Sequence, residues 1–169
     1  MGMSEPRPRD EDFASYMRAR WGDLVRTLVS MGCEPHEAED VAQSALARCY
    51  RSWDKVQAAD DVDAYVYRTV LNCWATSRRR RWWGERPTER LPEGITTGMA
   101  EAVATSSSLT QALTRLSHDH REVLVLRFGA DLTEAQTAQV LGVPLGTVKS
   151  RVARALAAID TRDLSEETA

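Results

Sequence analysis

The sequence predicts an all-α protein of two small helical domains joined by a flexible linker. In several long segments apolar residues recur at spacings of three and four, the period of a helix with one buried face. Only 7% of residues are aromatic, and residues 84–108 are rich in Gly, Pro, Thr, Ser and Glu with little periodicity. A connection of about 25 residues is too long for a buried loop. We therefore expect an N-terminal three- or four-helix bundle over residues 12–83, a linker over 84–108, and a C-terminal four-helix domain over 109–160.

The N-terminal domain begins with two amphipathic segments. Residues 1–11 are polar and are expected to fray, and a first helix runs from Asp12 to a stop at Gly32. A second helix follows Pro35, with acidic residues in its first turn, where the helix dipole favours them. Its predicted inward face is Ala38, Val41, Ala45, Leu46, Cys49 and Trp53. Asp40 and Gln43 lie on an adjacent face, where a solvated pair would ordinarily have no role.

A third long helix is predicted from about Ala64, after a loop over residues 55–63. Its apolar side is Tyr65, Val66, Val70, Cys73 and Trp74, and it ends in SRRRRWW. Cations at a helix C-terminus are favoured by the dipole, so a solvated helix end is one interpretation. Four consecutive Arg, however, point all round the helix, and guanidinium groups beside aromatic rings suit a nucleic-acid backbone with bases to stack. We therefore expect Arg78, Arg79, Arg80 and Arg81 to contact nucleic acid.

Residues 132–159 predict two helices joined by a tight turn. Thr133 and Gln136 form a possible capping box, Ala138 and Leu141 face inward, and Gly142 ends the first helix. The second helix is expected to begin at Thr147 as its N-cap, with an apolar stripe of Val148, Val152, Leu156 and Ile159. Its other faces present Thr147, Lys149, Ser150, Arg151 and Arg154. These residue types suit a helix-turn-helix that reads the major groove, and a helical hairpin with a solvated basic face is the alternative.

Composition limits the functions open to the chain. A net charge of −3, from 22 basic and 25 acidic residues, predicts weak binding to DNA by the chain alone. Three widely spaced Cys and three His form neither a disulfide pattern nor a metal pattern, so no cofactor is expected. We find no apolar run of a signal peptide or membrane span, which favours a cytoplasmic protein without membrane insertion. The sequence has no nucleophile–base pair or phosphate-binding loop, so an enzyme is not expected.

Three motifs in this order resemble the extracytoplasmic-function sigma factors of bacterial RNA polymerase, from about Asp12 to Ile159. They are HEAEDVAQSAL, AYVYRTVLNCWATSRRRR and LGVPLGTVKSRVARAL. The resemblance implies that the protein is not an enzyme but a subunit that joins core RNA polymerase as a monomer and directs initiation at promoter DNA. It also implies an anti-sigma factor as a further partner. An acidic chain with two local basic patches suits such a subunit, because the larger enzyme assembles its DNA contacts.

The resemblance also assigns residues. Glu39, Asp40 and Gln43 would bind core polymerase; Asn72 with Arg78, Arg79, Arg80 and Arg81 would bind the −10 element as single-stranded DNA; Thr147, Lys149, Ser150, Arg151 and Arg154 would bind the −35 duplex. The chain departs from the family at three positions. The family usually has Glu in place of Gln136, Ile in place of Thr137 and Trp in place of Tyr65.

Two other functions fit parts of the pattern. A stand-alone helix-turn-helix regulator would bind duplex DNA as a symmetric dimer, with half-sites one helical turn apart. A helical scaffold would bind protein only, with its Arg run solvated. A DNA footprint without polymerase would favour the first, and no DNA crosslink even with polymerase would favour the second.

Overall fold

A computed structural model describes the backbone of residues 8–84 and 107–166, with side chains described for residues 8–84 and 109–159. Within these ranges every regular element is helical. The helices are α1 (Pro8–Ser30), α2 (Pro35–Arg51), α3 (Trp53–Gln57), α4 (Val62–Trp82), α5 (Ser107–Thr114), α6 (His118–Leu124), a π-helical turn (Val125–Gly129), α7 (Glu134–Leu141) and α8 (Leu145–Glu166). The all-α prediction is confirmed. Most of the predicted linker lies outside the described residues, and the domain boundaries stay a prediction.

The first helix begins earlier than predicted. Helix α1 starts at Pro8 rather than Asp12, with Asp10 and Glu11 in its first turn. Two contacts fix this end: the Tyr50 hydroxyl donates to Asp10 at 2.8 Å, and Arg9 donates to the Tyr50 carbonyl at 2.6 Å. The prediction of a frayed leader is therefore wrong for residues 8–11. This polar stretch has no apolar periodicity of its own, but Tyr50 of α2 holds it in place.

The predicted loop over residues 55–63 is also mostly helical. Helix α3 covers Lys55 and ends at Gln57, and α4 begins at Val62, so only four residues connect them. Asp61 is the N-cap of α4, since its Oδ1 accepts from the Ala64 N–H at 2.8 Å. One of the acidic residues that suggested a loop, Asp61, is thus the residue that caps the start of α4.

The N-terminal core lies between α1, α2 and α4. All six residues of the predicted inward face of α2 are buried, as are Val66, Val70, Cys73 and Trp74 on α4. Tyr67 is fully buried as well, although the predicted stripe omitted it. The three cysteines are free and buried. Burial raises the pKa of the Cys49 and Cys73 thiols, so both remain protonated.

The helix-turn-helix forms with two local corrections. Thr133 and Gln136 make the predicted capping box, and Gly142 adopts the left-handed conformation with φ of 66°. Thr147 is not an N-cap: α8 begins at Leu145, and the Pro144 carbonyl accepts from the N–H groups of Thr147 and Val148. A proline carbonyl thus starts the helix two residues early.

The buried faces of α7 and α8 are also shifted from the predicted ones. On α8 Ala155 is fully buried and Leu156 is 43% exposed, so the stripe continues through Ala155 rather than Leu156. On α7 Thr137 and Val140 are buried more deeply than Ala138 and Leu141. Each shift moves the inward face by one residue, about 100° around the helix. The backbone of α8 is helical to Glu166.

The two halves of the chain share one hydrophobic core. Val125, Leu126, Leu132 and Val140 belong to the same buried cluster as Leu24 of α1. A smaller cluster of Leu116, Leu124 and Ala155 lies within the C-terminal half. Leu124 at the end of α6 therefore packs in the smaller core, and Val125 and Leu126 pack in the larger one. The wider π-helical turn that begins at Val125 permits this change of direction.

Candidate polymerase and nucleic-acid interface

The polar face of α2 is free for a partner. Asp40 and Gln43 are exposed and Glu39 is half-buried, while the opposite face of the helix is buried against α1 and α4. Asp40 borders a groove between α2 and α4 that is also lined by Arg48 and Arg80. The structure thus puts the three predicted polymerase-binding residues together on one side of one helix.

A buried carboxylate fixes the end of α4 against α2. Glu37 is only 7% exposed, and its Oε1 accepts from the Ser77 hydroxyl at 2.9 Å. Its Oε2 pairs with the Arg81 guanidinium at 3.0 Å. Glu37 had been predicted only as a favourable charge in the first turn of α2. No periodicity in the sequence links it to residues forty positions away.

The four arginines at the end of α4 differ in their surroundings. The Arg78 guanidinium lies 4.4 Å from the Trp74 ring centroid, and Arg81 pairs with Glu37. Arg79 and Arg80 are exposed; Arg79 makes a 3.5 Å contact with the Thr76 hydroxyl. All four arginines are exposed, but Arg78 and Arg81 each have an aromatic or carboxylate partner within the protein, which leaves Arg79 and Arg80 more available to phosphates.

Asn72 lies about two turns before this run and is exposed. Its carbonyl accepts from the Thr76 hydroxyl at 2.9 Å, a backbone contact that leaves the side-chain amide free of that bond. An exposed amide that can both donate and accept is suited to the edge of a base.

The predicted −35 residues lie on α8, and two of them form ion pairs across the domain. Lys149 lies 3.8 Å from Glu134 of α7, and Arg151 pairs with Asp119 of α6 at 3.1 Å. Ser150 donates to the Thr147 carbonyl at 3.1 Å, and Arg154 is exposed. Because Val148, Val152 and Ala155 face the core, these polar residues share the outer surface of the helix.

Comparison with known proteins identifies the family of the chain. Residues 16–84 match Sigma-70 region 2, and residues 112–160 match Sigma-70, region 4. The RNA polymerase sigma-E factor of Streptomyces coelicolor is 36% identical over 151 residues, which cover 86% of this chain and 82% of the relative. The chain belongs to the extracytoplasmic-function sigma factors.

This sigma factor also matches a more distant relative by sequence and two solved structures by fold. The ECF RNA polymerase sigma factor SigW of Bacillus subtilis is 27% identical over 149 residues, covering 76% of this chain and 78% of the relative. A sigma factor RpoE, solved with the anti-sigma factor NepR from Bartonella quintana, superimposes with a TM-score of 0.70 at 22% identity. That match covers 89% of this chain and 96% of the solved one. CnrH, in complex with the cytosolic domain of CnrY, gives 0.66 at 21% identity and covers 90% and 88%.

In the sigma factor the helix-turn-helix packs directly on α4. The Gln136 Nε2 donates to Asp61 Oδ2 at 2.7 Å, while its Oε1 accepts from the Thr133 N–H at 2.7 Å. Gln139 lines a cleft with Asp60, Asp61 and other residues at the start of α4. Gln136 is one of the positions at which the sequence departs from the family. A Glu there could accept from Thr133 but could not donate to Asp61.

A second contact joins the halves through Arg121 of α6. Its guanidinium donates to the Leu113 carbonyl at 2.7 Å and to the Met31 carbonyl, after α1, at 3.2 Å. Neither Arg121 nor Asp61 had been predicted as important, because their partners are distant in sequence.

One group of possible metal ligands occurs among the described residues of the sigma factor. One ligand atom each from His118, Asp119 and Glu122 lies within 4.8 Å of the others. Burial raises the pKa of the Glu122 carboxyl, and Arg151 pairs with Asp119, so both groups are poorly suited to a cation. No helix in the described ranges is long and apolar enough to cross a membrane.

Proposed function

We propose that this sigma factor binds core RNA polymerase through Glu39, Asp40 and Gln43. The observation that supports this most directly is the exposed polar face of α2, which has Asp40 and Gln43 on a helix whose opposite face is fully buried. Neither side chain is needed for the packing of the helix. A pair of exposed hydrogen-bonding groups on a rigid helix suits a partner protein.

The −10 element would bind along the exposed side of α4. Asn72 would hydrogen-bond the edge of a base that has left the stack, at an unstacking cost of a few kcal/mol that the contacts must offset. The arginine run would hold the backbone of that strand, with Arg79 and Arg80 in direct contact. Arg78 and Arg81 would help to hold the backbone while they remain beside Trp74 and Glu37 respectively.

The −35 element would bind the outer surface of α8 as duplex. Thr147, Lys149, Ser150, Arg151 and Arg154 would lie in or beside the major groove and contact phosphates and base edges. The Lys149–Glu134 contact is between two exposed side chains at 3.8 Å, and such a pair contributes little. Lys149 can therefore exchange Glu134 for a phosphate.

Simultaneous binding of both elements would require the two halves to separate. Elements at −35 and −10 are about 25 base pairs apart, or about 85 Å of duplex at 3.4 Å per base pair. Helices α4 and α8 are each only about 30 Å long at 1.5 Å per residue. While α7 packs on α4, the two DNA-binding helices belong to one compact body. The described arrangement would thus be that of the sigma factor before it joins polymerase and DNA.

The remaining partners follow from the same proposal. A structurally similar sigma factor, RpoE, was solved in complex with an anti-sigma factor, and CnrH was solved in complex with the cytosolic domain of CnrY. We propose that an anti-sigma factor also binds this chain, which would act as a monomer in the cytoplasm, where RNA polymerase works. It would have no catalytic activity of its own. The alternative of a stand-alone dimeric regulator is not favoured, because region 2 matches residues 16–84 and region 4 matches residues 112–160.

The test is a pull-down with purified core RNA polymerase, followed by run-off transcription on genomic fragments. Wild type should bind core and initiate at discrete sites, and Asp40→Ala/Gln43→Ala should do neither. Asp12→Ala/Gln111→Ala is the matched control, since it removes the same two side-chain types from other exposed helical positions. A double variant that binds core like wild type would refute this assignment. A footprint on DNA without polymerase would favour the stand-alone regulator.

A further inference from the structure

Two adjacent tryptophans at the end of α4 are almost fully exposed. Trp82 is 89% exposed and Trp83 is 84% exposed, more than any other large apolar side chain within the described ranges. Trp is among the costliest side chains to leave in water, because a single buried indole removes 150–250 Å² or so of surface from solvent. Neither indole contributes to the cores described above, so stability of the fold does not explain them.

The backbone that carries these indoles is held by hydrogen bonds. The Trp83 N–H donates to the Arg79 carbonyl at 3.1 Å, and the Gly84 N–H donates to the Arg81 carbonyl at 3.3 Å. Gly84 has φ of 89°, which turns the chain away directly after Trp83. The Glu37–Arg81 pair holds the same turn against α2. A rigid aromatic side chain loses little entropy when it binds.

Each indole forms one wall of a shallow cleft with arginine beside it. One cleft is lined by Ala75, Arg78, Arg79, Trp82 and Trp83. The second is lined by Thr76, Arg79, Arg80 and Trp83. Arg79 and Trp83 border both clefts, and no carboxylate is among the described residues that line either one. Each cleft therefore has an aromatic ring and positively charged guanidinium groups side by side.

We propose that Trp82 and Trp83 stack on unpaired bases of the melted promoter strand, with Arg79 and Arg80 on the adjoining phosphates. The proposal rests on the proposed binding of the −10 strand along α4 and extends it to the helix end. Paired bases present only their edges, so a flat indole needs single-stranded nucleic acid to stack. The arginines favour a polyanion over an uncharged apolar partner.

The geometry also gives the distance from the base contacted by Asn72. Ten residues separate Asn72 from Trp82, which is about 15 Å along the helix axis. At a stacked spacing of about 3.4 Å, this is roughly four nucleotides. The stacked bases are thus different from the one at Asn72, so two contact points grip the open strand.

The test uses the full chain and fluorescein-labelled oligo-dT of twenty or so nucleotides at low salt, with binding followed by anisotropy. Trp82→Ala/Trp83→Ala should weaken binding about tenfold or more, since loss of base stacking commonly has this effect. Trp82→Tyr/Trp83→Tyr should restore most of the affinity. Phe128→Ala is the matched control, because Phe128 is 61% exposed and has the Arg127 guanidinium 5.6 Å from its ring. It should bind like wild type.

Other outcomes overturn the proposal. Unchanged affinity in the double Ala variant would show that the indoles do not stack on bases. Weakened pull-down of core polymerase, or loss of binding to phospholipid vesicles, with oligonucleotide binding intact would assign the pair to a protein or a membrane surface. Failure of the proposed −10 binding is seen separately, since wild type would then not bind oligo-dT, whereas failure of stacking alone leaves wild-type binding intact and equal to that of the double Ala variant.

Discussion

The two ends of α4 differ in what surrounds them. At its start, Asp61 caps the helix and accepts from Gln136 of α7, and Ala64, Val66, Tyr67 and Val70 are buried in the shared core. At its end, Arg79, Arg80, Trp82 and Trp83 are exposed, and Glu37 provides the anchor from one side. The comparison shows how one helix divides its tasks. Packing of the first part stabilises the helix, so the last two turns are free to bind.

The largest difference between the two ends should appear in stability. Tyr67→Ala removes a side chain that is only 1% exposed and should lower the free energy of unfolding by about 3–5 kcal/mol. Trp82→Ala removes a larger but exposed side chain and should change it by less than about 0.5 kcal/mol. Urea unfolding followed by circular dichroism measures both. Similar losses in the two variants would contradict the division of α4 described here.

A smaller effect is expected where α7 meets the start of α4. Gln136→Glu keeps an oxygen for the Thr133 N–H but replaces the donor to Asp61 with a second carboxylate. The contact between the halves should weaken by about 1 kcal/mol. Small-angle scattering should then show a larger radius of gyration. Gln111→Glu, which adds the same charge at an exposed position of α5, should leave the radius unchanged. An equal expansion in both variants would mean that net charge, not this hydrogen bond, is responsible.

A pH-dependent loss of stability is expected from the thiol near the anchored end. Burial, with the Glu37 carboxylate second, raises the pKa of Cys33 to about 12. In the unfolded chain a thiol loses its proton near pH 8.5 or so, whereas the folded one retains it up to about pH 12. The unfolded state therefore binds fewer protons in this window, and stability falls as the pH rises above about 9.

Urea midpoints at pH 7.5 and pH 10 measure this fall. Cys33→Ala should show a smaller loss between the two pH values than wild type. The other buried thiols and Tyr16 are present in both proteins and cancel in the comparison. An equal loss would indicate that Cys33 does not contribute to the pH dependence.

Local signals in the sequence predicted much of this structure. Thr133, Gln136 and Gly142 form their cap and stop from residues within one or two turns, so their side-chain chemistry suffices. The start of α8 was missed because a backbone carbonyl, that of Pro144, takes the place that a Thr147 side chain was expected to fill. Ala155 was missed because a small residue adds little to an apolar stripe, although it fits where a helix approaches closely.

The contacts between distant elements could not be predicted in the same way. The pairs Glu37–Arg81, Arg151–Asp119 and Gln136–Asp61 depend on how helices cross, and each residue alone is an ordinary surface charge or amide. For the same reason the arginine run was predicted as one group. In the structure the four arginines differ in their contacts, and the sequence alone does not show which of them has a partner.

The π-helical turn at Val125–Gly129 has a consequence for the protein outside polymerase. It directs Leu124 into the smaller core and Val125 and Leu126 into the shared one. Separation of the halves would leave Val125, Leu126, Leu132 and Val140 facing water as a contiguous apolar patch. Such a surface promotes self-association. The opened sigma factor would therefore be prone to aggregation until a partner covers this patch. The closed arrangement would thus keep the free protein soluble.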